Sequence, residues 1–182
     1  MKNAALFIVD VQNDFLPGGA LAVKHGDEVI APLNRLMEKF THIYASKDWH
    51  PARTVHFDKW PVHCVRGTRG AAFPDTLRIT RIEKVFLKGT GNTDDGYSAF
   101  EATNDDLESY LKIRKIKTLY IGGLATDYCV KATAIDAARK GFDVFVIEEA
   151  VRAVNLNPGD EEKAWEEMIR AGVKRISEKQ LL

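Results

Sequence analysis

Read for alternation of apolar and polar positions, the chain divides into short apolar runs separated by longer amphipathic stretches. The runs are AALFIVDV (Ala4–Val11), HIYAS (His42–Ser46), IEKVFLK (Ile82–Lys88), KTLYIGG (Lys117–Gly123), DVFVIEEA (Asp143–Ala150) and VKRIS (Val173–Ser177). Most are continuously apolar rather than alternating, the pattern of parallel strands covered on both faces. Between them the spacing predicts helices over Asp27–Phe40, Thr103–Arg114, Asp127–Lys140 and Glu161–Ala171. Strand and helix alternate to the end, so the expected fold class is α/β. It takes the form of one domain, residues 1–182, with an open, mainly parallel six-stranded sheet and helices on both faces. One connection breaks the rhythm. Lys47 to Arg81 shows neither period, yet it holds Trp49, Phe57, Trp60 and Phe73, the apolar content of an ordered, functional loop.

Charge narrows the partners. Lysine plus arginine and aspartate plus glutamate balance at 26 each, leaving no net field to draw the protein to nucleic acid or an anionic membrane. A small molecule is the expected partner, and the expected assembly is a monomer or small homo-oligomer. The opening MKNAALFIVDV has one lysine and an apolar run too short to span a bilayer and wrong for a signal peptide, so a cytoplasmic location is expected. Cys64 and Cys129 are far apart with no C-x-x-C, which indicates neither a disulfide framework nor a thiolate zinc site.

In open α/β sheets ligands bind beyond the carboxyl ends of the strands. Polar residues collected there are Asp10 after the first run, Asp48, His50, His56 and His63 after the second, Lys88 at the end of the third, and Cys129 after the fourth. Asp10 interrupts an apolar strand, and a buried carboxylate requires a cationic or proton-sharing partner; the alternative is a structural cap. Lys88 precedes GTGNTDDG, which lacks the order of a phosphate-binding P-loop; taken alone, a strand-end lysine is solvated. Cys129 leaves GGLATDYCV in the first turn of a helix capped by Thr126 or Asp127, where free N–H groups, the helix dipole and a nearby lysine favour a thiolate. The competing reading is a buried inert thiol, which is the expectation for Cys64. Asp48-x-His50 followed by His56 and His63 suits a divalent ion, zinc, iron or manganese, against solvated or core histidines; His25 and His42 lie outside the cluster.

Taken together, DVQNDFLPGGALAV (Asp10–Val23), DWHPARTVHF (Asp48–Phe57), WPVHCVRGTRGAAF (Trp60–Phe73), LKGTGNTDDGYSAF (Leu87–Phe100) and GGLATDYCVKATAIDA (Gly122–Ala137) closely resemble the nicotinamidases, or pyrazinamidases, of the isochorismatase-like cysteine hydrolases. The resemblance implies an amidohydrolase that cuts a carboxamide C–N bond, turning nicotinamide into nicotinate and ammonia. It implies a catalytic triad of Asp10, Lys88 and Cys129, an oxyanion hole at the N–H groups of Ala125 and Cys129, and a divalent metal, zinc first, on Asp48, His50, His63 and His56. Phe15, Trp60, Tyr97, Leu124, Ala125 and Tyr128 match pocket positions, and Leu124-Ala125 matches a peptide that is often cis. The departures are acidic Asp94 and Asp95 before Tyr97, and Tyr128 where relatives carry histidine. The alternatives are another small-amide hydrolase of the same superfamily, a hydrolase whose metal-bound hydroxide does the chemistry, and a non-catalytic binding module.

Overall fold

The structure is a computed structural model that describes residues 3–181. Strands β1 (Ala4–Val9), β2 (His42–Asp48), β3 (Lys84–Lys88), β4 (Thr118–Leu124), β5 (Asp143–Arg152) and β6 (Lys174–Ile176) form one sheet in the order β3-β2-β1-β4-β5-β6, every neighbouring pair parallel. Each apolar run in the sequence thus became a strand. Helices α1 (Ile30–Leu36), α2 (Leu107–Ile113) and α3 (Lys131–Arg139) fall within the amphipathic stretches but are shorter, and α4 (Asp160–Arg170) is displaced from its expected span by one residue toward the N-terminus. The first is entered through a 3-10 turn at Gly26–Val29, and α2 starts late because Asp106 accepts the Ser109 N–H at 2.7 Å as its cap.

Successive β1 side chains serve opposite faces. Ala5, Phe7 and Val9 pack with Leu107 and Leu111 of α2, Ala134 and Ala137 of α3, and Trp165 and Met168 of α4. Ala4, Leu6 and Ile8 pack instead with Leu33, Leu36, Met37 and Phe40. This two-sided burial explains why the strands are continuously apolar, each fully buried large side chain contributing roughly 1.5–3 kcal/mol. Among the described residues no helix is long and apolar enough to cross a membrane.

The chain runs outward through β1, β2 and β3, then returns to place β4 on the other side of β1. A crevice therefore opens beyond the carboxyl ends of β1 and β4, where their connections diverge. The two strands press together there: a Cβ on Gly123, at φ +124°, would meet the Val9 carbonyl oxygen at 2.0 Å. Only glycine fits. The long connection after β2 is ordered, as its aromatic content predicts. His50 N–H donates to Cys64 O at 3.0 Å, Arg66 N–H to His50 O at 2.9 Å, and Asn13 and Asp14 N–H to Ala72 O and Gly70 O at 3.0 Å each.

Candidate active site and imidazole cluster

Sheet register places the first group of reactive side chains. Asp48 and Lys88 are direct partners across β2 and β3, and Asp10 follows β1 with its N–H on Ser46 O at 3.2 Å. The fully buried Lys88 ammonium lies 2.5 Å from Asp48 Oδ1, 2.6 Å from Gly96 O, 2.8 Å from Asp10 Oδ2 and 3.4 Å from Cys129 Sγ. Ser46 Oγ donates to Asp10 Oδ1 at 2.7 Å, whereas Oδ2 makes only its ionic contact with Lys88. Asp10, Asp48 and Cys129 each bring an atom within 4.8 Å of the others. The pairing partner that a buried Asp10 requires is thus Lys88, and both adopt their places with the thiol beside them.

Burial raises Asp10 to about 6, against the opposing pull of Lys88, giving a carboxylate of unusual basicity that is still ionised near neutrality. Burial also opposes charge on Lys88 and Asp48, yet their mutual attraction wins: Lys88, flanked by Asp10 and Asp48, is held well above its ordinary range, and Asp48, beside Lys88 and two imidazoles, well below its own. Cys129 corrects an expectation. Burial, reinforced by Asp10 and Asp48, pushes the thiol well above its ordinary range and outweighs Lys88, so the free protein stores a thiol rather than a thiolate.

The turn carrying Cys129 also differs from the expected capped helix. Thr126–Val130 is a π-helical turn in which Val130 N–H reaches back to Ala125 O at 3.1 Å, leading into α3. Its N-cap, Ala125, receives no side-chain cap, and neither Thr126 nor Asp127 supplies one. The Asp127 carboxylate instead accepts the N–H groups of Val154 and Asn155 at 2.9 and 2.8 Å, tying the turn to the segment after β5. The Leu124–Ala125 peptide is cis, as the resemblance implies.

The imidazoles come from the irregular chain after β2. His50, His56 and His63 are buried, with ring nitrogens within 4.8 Å of one another. Each presents Nδ1 to an oxygen: His50 donates to Gly89 O at 2.8 Å, His63 to Pro61 O at 2.7 Å, and His56 to Asp94 Oδ1 at 3.0 Å. Carbonyl and carboxylate oxygens only accept, so Nδ1 carries a proton and, in the neutral ring, each Nε2 presents a lone pair. His50 Nε2 is buried without any hydrogen-bond partner, and Asp48 Oδ2 lies 3.6 Å from it and 3.7 Å from His63 Nε2. Three convergent lone pairs, one of them orphaned, beside a carboxylate form a donor set that fits a divalent cation. Burial, then neighbouring His50, lowers His56, which keeps it in the neutral ligating form. Gly89 makes room for this arrangement: a Cβ at its φ of +63° would stand 2.5 Å from His50 Cε1. His25 and His42 stay outside, each facing a glutamate.

Both groups border a cavity of about 50 Å³. Cys129 and Ala125 line it together with His50, His56 and His63, and Phe15, Trp60, Tyr97, Leu124 and Tyr128 complete the wall. Every expected pocket residue is present. Phe15 lies against His63 with ring centroids 5.5 Å apart, and Trp60 meets Tyr128 edge-on at 5.1 Å. Cys64, in contrast, is wholly buried with its thiol pushed far up by burial, the inert cysteine expected.

An isochorismatase domain pattern matches residues 4–180. The chain belongs to the isochorismatase family. Among its relatives in that family is a nicotinamidase of Acinetobacter baylyi, 40% identical over 205 residues that span 100% of this chain and 95% of the other. A pyrazinamidase of Pyrococcus horikoshii, solved in complex with zinc, superposes with a TM-score of 0.85 at 40% identity, covering 96% of this chain and 99% of the other. An L. infantum family member solved in complex with nicotinate gives a TM-score of 0.91 at 34% identity, covering 98% and 94%.

Three residues of this isochorismatase-family site escaped the sequence reading. Gln12 is buried and grips β2 from both sides, donating to Asp48 O at 2.8 Å and accepting the Asp48 N–H at 2.8 Å. Ser46 holds Asp10, and Gly96 supplies Lys88 with a carbonyl. A glutamine, a serine and a glycine carry no charge pattern, and the one available signal was the presence of all three inside or beside the matching segments.

Proposed function

We propose that this chain hydrolyses nicotinamide, and by the same chemistry pyrazinamide, to the ring carboxylate and ammonia. The reading is carried by one observation: a buried thiol with an acid and an ammonium beside it lines the same aromatic cavity as an imidazole cluster. The activities and bound ligands of the relatives support it.

Asp10 takes the Cys129 thiol proton as sulfur attacks the carboxamide carbon, and Lys88 balances the charge that passes between them. A carboxylate raised to about 6 suits this exchange better than an ordinary one. The N–H groups of Ala125 and Cys129 receive the developing oxyanion, each donor worth roughly 3 kcal/mol. Asp10 returns its proton to the departing ammonia, leaving a thioester on Cys129. It then removes a proton from the water that attacks that thioester, giving nicotinate and restoring the thiol. Phe15, Trp60, Tyr97 and Tyr128 confine the ring and exclude bulk water. Asp48, His50, His56 and His63 would hold a divalent ion, zinc in this reading, which supplies a Lewis-acid anchor for the ring nitrogen when bound.

Ammonia release from nicotinamide by zinc-loaded wild type, Cys129→Ala and His50→Ala tests the assignment. Wild type releases ammonia, Cys129→Ala does not, and His50→Ala loses both zinc and activity. No release by the wild type would overturn the substrate assignment, and turnover surviving Cys129→Ala would transfer the chemistry to a metal-bound hydroxide.

A further inference from the structure

Asp94 comes from the loop between β3 and Tyr97, where it forms an acidic pair with Asp95. Its carboxylate is about one quarter exposed and takes three donors from side chains. Oδ1 accepts His56 Nδ1 at 3.0 Å and the Tyr97 hydroxyl at 3.1 Å, while Oδ2 pairs with Lys59. The Tyr97 oxygen in turn accepts Trp60 Nε1–H at 3.1 Å. His56, Lys59 and Trp60 belong to one loop and Asp94 and Tyr97 to another, so a single carboxylate fastens the two loops that wall the cavity. These donors hold Asp94 below its usual range, the Lys59 hydrogen bond first.

We propose that Asp94 is a positioning residue that orients His56 toward the metal and, through Tyr97, sets Trp60 against the substrate ring. The inference rests on the function proposed above. His50 and His63 are oriented by backbone carbonyls, which no side-chain change removes, whereas His56 depends on a side chain. The His56 ring stacks on His50 with centroids 4.5 Å apart, so stacking alone leaves it free to turn in its plane and carry Nε2 away. The bond from Nδ1 to Asp94 fixes that rotation and the tautomer together. An amide in its place offers one acceptor where Asp94 offers two, and His56, Lys59 and Tyr97 would compete for it.

The test is a zinc-affinity cycle on the full chain, by competition with a chromophoric chelator, for Asp94→Asn, His56→Ala and the double variant. Asp94→Asn weakens zinc binding about 10-fold or more, as loss of a carboxylate behind a ligating histidine does. In the His56→Ala background the same change alters affinity by less than about 2-fold, because its route is gone. Asp94→Glu recovers part of the loss. Tyr97→Phe, which spares the His56 contact, keeps zinc affinity within about 2-fold, shifts tryptophan emission and raises KM for nicotinamide more than it lowers kcat. Wild-type zinc affinity in Asp94→Asn, or an equal loss with and without His56, would overturn the proposal. Failure of the wild type to hydrolyse nicotinamide would strike the functional reading while leaving the zinc cycle to decide this one.

Discussion

Asp10, Lys88 and Cys129 stand at or just beyond strand ends, whereas His50, His56 and His63 hang from the long connection after β2, His56 on its 3-10 turn Val55–Asp58, although both sets face one cavity. The first set inherits its spacing from the sheet: Lys88 is in register with Asp48, and β4 is pressed against β1 at Gly123. The second set is spaced by hydrogen bonds that the loops make to themselves and to each other, through Gly89 O, Pro61 O and Asp94. Reactive groups that exchange protons need fixed sub-ångström relationships, which a sheet supplies, while ligand lone pairs need only be aimed, which loops achieve.

The sharpest way to separate the two ends is Cys129→Ala. Turnover falls by roughly 10⁴-fold or more, while zinc affinity by chelator competition stays near the wild-type value. Comparable losses of both would mean that the ends are one cooperative unit. Lys88→Met strikes the sheet-built end instead. It leaves Asp10 and Asp48 buried without their shared ammonium, and stability in urea drops by about 3–5 kcal/mol. An unchanged unfolding midpoint would refute the claim that Lys88 holds this end together.

Gly89→Ala probes the loop-built end. The added methyl collides with His50 and strains a positive φ, costing about 1–3 kcal/mol and weakening zinc binding, both measurable by thermal shift with and without zinc. Ser46→Ala makes the smallest change. Asp10 must be ionised to accept the thiol proton, so kcat/KM rises with pH through the Asp10 value of about 6. The Ser46 hydroxyl stabilises the carboxylate, and its removal moves that acid limb to higher pH. A limb that moves down or stays put would detach Asp10 from the pH profile.

Legibility in the sequence followed the same division. The strands were readable because β1 is buried throughout and β2 and β4 nearly so, and a charged residue at the end of an apolar run, such as Asp10 or Lys88, announces itself against that background. The imidazoles were readable as a cluster by type and proximity along the chain, but what aims them was not. Asp94 meets His56 across 38 positions, and no local pattern encodes such a pairing. The π-turn at Thr126–Val130 was misread as an ordinary capped helix because Thr126 and Asp127 have capping chemistry; tertiary structure diverts Asp127 to the N–H groups of Val154 and Asn155. The high thiol likewise escaped a reading that counted Lys88 and the helix end but not the depth of burial.

The contact at Gly123, where β4 admits no more than a hydrogen atom beside Val9, bears on how such a scaffold diversifies. The contact holds the ends of the two strands that lead to the acid and the sulfur at the separation backbone thickness sets. New substrates are then most simply accommodated by recasting the aromatic walls, with the two loops serving as replaceable cassettes on a stiff chassis. A designer seeking bulkier amides would begin at Trp60 and Tyr97 and leave the strands untouched.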